Sequence, residues 1–199
     1  MFREQNNYLG KVTTVEADPE GAASFLRVLK ALEQENIPDQ KENNWINITK
    51  YEVRLALNRD SLWSEKDINS RGHDYEKIRL ANLGSNCPVI DDIVVAAMTV
   101  TQMKTLDLTA NMYQNIRATE LQVSKYIDEL DESTRRPWEW TDRKSRRSYK
   151  FERGVNFQDR YLEVAIPVEK STKTQKEKLI ELQEYATQKD ITLVIVEIP

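Results

Sequence analysis

Tyr161-Leu162-Glu163-Val164-Ala165-Ile166, then Thr172 to about Lys189, then Ile191 to Ile198 is the stretch that decides the fold. Its first six residues alternate as a strand does. Thr172 followed three residues later by Gln175 is a capping-box pattern that opens a helix. Ile191 to Ile198 is an apolar run suited to a strand covered on both faces. Two strands joined through a helix are parallel, with a right-handed crossover. Working outward, Asp74 to Leu83 suits a helix stopped by Gly84. Pro88-Val89-Ile90 begins a strand, and Val94 to Met103 continues as a second one rich in β-branched residues. Thr109 is placed to cap a long helix running to about Asp131. The expectation is a mixed α/β domain over residues 66–199. Residues 1–65 read differently, as a small helical module carrying an apolar stripe (Phe25, Leu26, Val28, Leu29, Leu32) and a second helix from Thr49 to Asn58. The charged stretch Ser64-Glu65-Lys66-Asp67 reads as the linker between them.

Composition narrows the chemistry. The chain has 199 residues, a net charge of −4, one cysteine (Cys87) and one histidine (His73). No internal disulfide and no Cys/His zinc cluster can be built from them. The five glycines are scattered, so there is no glycine-rich phosphate loop. No run approaches the roughly 20 apolar residues that span a bilayer, and no stable membrane insertion is expected. Carboxylates, amides and lysines must carry whatever chemistry the chain performs.

The segment that offers such chemistry is Cys87-Pro88-Val89-Ile90-Asp91-Asp92, followed about one strand later by Thr101-Gln102-Met103-Lys104. Gln102 and Lys104 are two apart in a strand and project from one face, and Asp91 can meet them at a shared sheet edge. Phosphodiester cleavage needs this equipment: a divalent cation on oxygen ligands and a cationic group near the attacking water. Asp92 is an alternative ligand, Asp107 suits a cap or brace for the next helix, and His73 and Cys87 read as structural.

In this arrangement Pro88, Asp91, Gln102 and Lys104 resemble the motif positions of the PD-(D/E)xK superfamily of restriction-endonuclease-like nucleases. The wider stretches Arg71-Gly72-His73-Asp74-Tyr75-Glu76, Pro88-Val89-Ile90-Asp91 and Thr101 to Leu108 resemble the nuclease toxins of contact-dependent growth inhibition (CDI) systems, over about residues 66–199. The resemblance implies a restriction-endonuclease-like mixed sheet flanked by helices. It also implies a site in which Glu76 and Asp91 bind metal and Lys104 is the catalytic lysine. Gln102 departs from the family's Asp or Glu, which points to one divalent ion (Mg, Mn or Zn) rather than two. The substrate implied is DNA or tRNA. Glu4-Gln5-Asn6-Asn7-Tyr8-Leu9 is similar to the VENN-type boundary after which such toxic tails begin, and by analogy residues 10–65 assist translocation. The implied setting is the exported tail of a large cell-surface protein, acting in the target-cell cytoplasm and neutralised in its producer by a cognate immunity protein.

Residues 135–153 hold eight cations against three acids, an excess of five positive charges that leaves the rest of the chain at −9. Arg143, Lys144, Arg146, Arg147, Lys150 and Arg153 are the expected nucleic-acid contacts. Trp138, Trp140, Tyr149 and Phe151 lie among them, suited either to stack on bases or to pack a hairpin. The competing function is a nuclease-like scaffold that binds nucleic acid without cutting it, encouraged by the neutral residue at 102.

Overall fold

The computed structural model describes residues 44–65, 67–83, 86–168 and 170–199. The elements in chain order are β1 (Trp45–Asn47), α1 (Lys50–Leu57), α2 (Ile68–Arg79), β2 (Asp92–Val94), β3 (Thr99–Thr105), α3 (Ile116–Thr134), β4 (Trp138–Thr141), β5 (Ser148–Phe151), β6 (Asp159–Pro167), α4 (Lys173–Thr187) and β7 (Thr192–Ile198). Five strands form one sheet in the order β1-β7-β6-β3-β2. The first three pairings are parallel, and β2 runs antiparallel along the edge of β3. β4 and β5 form a separate antiparallel hairpin.

Strand alternation explains the layering. On β7, Leu193 and Ile195 join one apolar cluster, while Val194, Val196 and Ile198 join another. The first cluster takes Val123, Ile127 and Leu130 from α3 and Leu179, Leu182 and Ala186 from α4. The second takes Val53 from α1 and Tyr75 and Ile78 from α2. The sheet is thus covered on both faces, as a parallel sheet must be, and this is why its strands read as nearly continuous apolar runs. The crossover β6-α4-β7 agrees with expectation, including the capping box. Thr172 Oγ1 accepts from Gln175 N at 3.2 Å, and Gln175 Oε1 accepts from Thr172 N at 2.8 Å. Thr49 and Asn58 also bound α1 as expected, through a second capping box and a left-handed C-terminal residue.

Four local features differ from the sequence expectation. α2 starts at Ile68, where the Asp67 carboxylate accepts from Ser70 N, and ends at Leu80 with φ 55, before Gly84. Val94 to Met103 is not one strand: Val95–Ala97 forms a 3-10 turn, Met98 takes φ 54, and the chain reverses into β3. No glycine or proline announces that reversal. α3 begins at Ile116 with Asn115 as its cap, because Asn111–Gln114 forms its own 3-10 turn after Thr109. Pro88-Val89-Ile90 is a tight turn rather than the start of a strand.

Residues 45–64, which the sequence pattern grouped with the N-terminal module, build into the same unit as the rest. β1 pairs with β7, and the Trp63 indole donates to the Ile198 carbonyl at 2.8 Å. Among the described residues, the compact unit therefore includes those on the N-terminal side of the expected linker. The Phe25–Leu32 stripe and the Glu4–Leu9 stretch lie outside the described residues.

Candidate active site

Asp91 sits where the chain enters β2 at the edge of β3. Its own N–H donates to the Thr101 carbonyl at 2.9 Å, and its Oδ2 accepts from Met103 N at 2.6 Å. That second bond pins the carboxylate against the backbone between Gln102 and Lys104. Burial pushes the Asp91 carboxyl up to about 7, against the lowering effect of the Met103 N–H and of Lys104, with Glu76 and Asp92 adding to the rise. Asp91, Lys104 and Glu76 thus share one electrostatic neighbourhood. Neither Asp91 nor Lys104 is in an ion pair among the described residues.

The turn that delivers Asp91 is strained. Ile90 N donates to the Pro88 carbonyl at 2.7 Å, a three-residue turn, and Val89 at its centre has φ 67. A β-branched residue in the left-handed region costs about 1–3 kcal/mol and persists only where its surroundings enforce it. Proline on one side and the buried Ile90 on the other fix the chain there.

Gln102 and Lys104 project from the sheet face that packs on α3. Gln102 is 0% exposed, and both of its amide atoms are without a hydrogen-bond partner. Each orphaned buried group costs roughly 1–3 kcal/mol, so this amide keeps an unused donor and an unused acceptor at a cost to stability. Lys104 Nζ lies 5.8 Å from the Tyr126 ring centroid, within the range in which an aromatic face attracts an ammonium. Tyr126 carries no motif that sequence reading could have used, because its place beside Lys104 depends on how α3 crosses the sheet.

Glu76 arrives from α2, whose position is set by a buried network. Glu163 on β6 accepts from the Tyr75 hydroxyl at 2.8 Å and from Arg79 through both oxygens at 2.7 and 2.5 Å. Burial and the Glu163 charge hold the Tyr75 hydroxyl well above its ordinary value. The His73 ring lies 3.4 Å from the Glu76 carboxylate. Asp92 is committed elsewhere, its Oδ1 accepting from Asn82 N at 3.0 Å. Asp107 braces the next turn through Thr109 and pairs with Arg71 at 3.5 Å. Burial, with the nearby Asp91 charge, pushes the Cys87 thiol up to about 12, which disfavours the reactive thiolate.

As a metal site the residues are sparse. Among the described residues no three His, Cys, Asp or Glu side chains converge. A hard cation here would rest on Asp91, Glu76 and the Gln102 amide oxygen, a donor set of low charge. The partnerless Gln102 amide fits such a ligand.

On the hairpin, Arg143, Lys144, Arg146, Arg147 and Lys150 are all exposed. No ion pair among the described residues occupies these five, whereas Arg153 is paired with Asp190 at 3.5 Å. The aromatic side chains pack the hairpin, with Trp138 stacked on Phe151 at 4.2 Å and Trp140 against Tyr149 at 5.7 Å. Residues 71–196 match the family model described as the CDI toxin restriction endonuclease-like domain. The chain belongs to this family. The CDI toxin domain so defined contains Glu76, Asp91, Gln102 and Lys104. Among solved structures, the CdiA-CT/CdiI toxin and immunity complex from Yersinia pseudotuberculosis is similar, with 18% identity, a TM-score of 0.47, and coverage of 60% of this chain and 89% of that one. No curated protein matches the chain.

Proposed function

We propose that this CDI toxin domain is a metal-dependent nuclease of the PD-(D/E)xK type that cleaves DNA or tRNA. The observation that carries this is the Asp91 carboxylate, half-buried, in no ion pair among the described residues, and held by the Met103 amide between a partnerless Gln102 and Lys104. A carboxylate whose pKa is raised by desolvation beside a lysine is a pattern found at functional sites, and a bound cation would favour its ionised form. Asp91, Glu76 and Gln102 would hold one divalent ion, Mg, Mn or Zn. When bound, that ion neutralises phosphate charge and acidifies water. Lys104 orients the attacking water and stabilises charge developing on the phosphate. Tyr126 limits where the ammonium can go. The five unpaired hairpin cations hold the nucleic-acid backbone.

Family membership also supports the biological setting: delivery into neighbouring cells as the tail of a large surface protein, action in the target cytoplasm, and neutralisation by a cognate immunity protein. No described helix is long and apolar enough to cross a membrane. The test is expression inside a susceptible bacterium. The wild-type chain is expected to arrest growth, while folded Asp91→Ala and Lys104→Ala variants do not. Arrest by either variant contradicts the site assignment. A second reading, binding without cleavage, draws on the lack of a third carboxylate. It predicts salt-dependent binding with no product.

A further inference from the structure

A shallow groove of about 300 Å³ lies between Pro88, Ser133, Arg136, Pro137 and Trp138. It joins three parts of the molecule that the sequence keeps apart: the strained turn before Asp91, the end of α3, and the first residue of the cationic hairpin. Its walls are two proline rings and an indole, with a single cation, and the lining is almost entirely apolar. One neighbour of the indole is already fixed, because Trp138 stacks on Phe151 with planes 19° apart. The Trp138 Nε1–H is a buried donor without a partner.

We propose that this groove receives a nucleobase of the strand being cut, turned out of its stack within about three nucleotides of the scissile phosphate. This inference rests on the nuclease reading and names a subsite within it. Flat apolar walls suit the face of a base, and every base has such a face. Arg136 is exposed and in no ion pair among the described residues, which suits the phosphate attached to that base. The exposed hairpin cations continue the same positive track, so an apolar protein segment fits this charge setting less well than a polyanion. Position also favours a base. Pro88 is three residues from Asp91, so their Cα atoms are at most about 11 Å apart. That bound keeps the groove within about three nucleotides of Asp91 at the 3.4 Å rise of a stacked strand.

The experiment places 2-aminopurine, and separately an abasic residue, at successive positions of a short DNA duplex and of an RNA stem-loop. Binding is measured with Asp91→Ala protein, which holds the strand without cutting it. The expected result is a fluorescence change at one or two adjacent positions and a loss of affinity of roughly 5- to 100-fold when the same position is abasic. Trp138→Leu removes the fluorescence change, and Trp138→Phe retains it. The abasic series needs no change in the groove, so it stands even if Trp138→Leu fails to fold. Tight binding with a flat positional profile overturns the groove assignment and leaves the nuclease intact. Failure of the Asp91→Ala protein to bind either nucleic acid, with no cleavage by wild type, overturns the nuclease reading itself.

Discussion

Gln102 is the residue at which stability and function separate most clearly. Its two amide atoms are buried and without partners, so replacing it with leucine removes two unsatisfied groups at similar volume. Gln102→Leu is expected to stabilise the metal-free chain by about 1–2 kcal/mol, read as a rise in Tm of several degrees, while abolishing nucleic-acid cleavage. A destabilised variant would show that the amide has partners in solution and that the cavity around it is not a ligand position. At Lys104 the relevant neighbour is Tyr126. Tyr126→Phe keeps the aromatic face and should keep activity, whereas Tyr126→Leu should lower kcat roughly 3- to 30-fold at nearly constant KM. An equal loss in both variants would assign the effect to the hydroxyl instead.

At the scale of elements, the parallel core was readable because its signals are local. The capping box at Thr172, the apolar run to Ile198 and the spacing between them specify β6-α4-β7 without reference to anything distant. The Asp91-to-Lys104 spacing suggested two strands and a turn, and it is the register of Asp92 opposite Thr101 that sets the Asp91 carboxylate on the Met103 amide. What escaped was conformational or long-range. Val89 adopts a left-handed φ that no residue of its type announces, and Met98 reverses the chain without glycine. The Tyr75–Glu163–Arg79 network links residues 84 and 88 positions apart, and only the packing of α2 on β6 reveals it. That network holds the helix that carries Glu76. Removing one partner leaves a buried charge uncompensated, so Arg79→Met is expected to cost about 3–5 kcal/mol in chemical denaturation. The double variant Arg79→Met with Glu163→Leu should recover most of that loss.

At the scale of the molecule, two charge systems of different kinds stand out among the described residues. One is internal: Asp131 on α3 is bonded to Arg160 at 3.0 Å and to Arg135 at 2.6 Å. Burial pushes the Asp131 carboxyl up, but these hydrogen bonds outweigh it and hold the group below its ordinary value. A depressed carboxylate stabilises the fold above the unfolded value near 4 and loses that contribution as pH falls through its lower folded value. Acid titration of unfolding should therefore show a stability loss beginning below about pH 4, and Asp131→Asn should flatten it. The other system is external, the five unpaired cations of the hairpin. Each one that contacts phosphate adds about 0.9 to the log–log slope of duplex-DNA affinity against salt, so neutralising three of them should reduce that slope by two to three. Both systems matter to function only if Asp91 and Lys104 cut. The most direct measurement is a time course of plasmid and total tRNA incubated with the purified chain in Mg²⁺, Mn²⁺ or Zn²⁺, with and without chelator, beside Lys104→Ala. Cleavage of at least one substrate that stops on chelation and falls by roughly 10² or more in the variant is the expected result. Intact substrates under every metal, or cleavage unchanged by chelator and by Lys104→Ala, would contradict it.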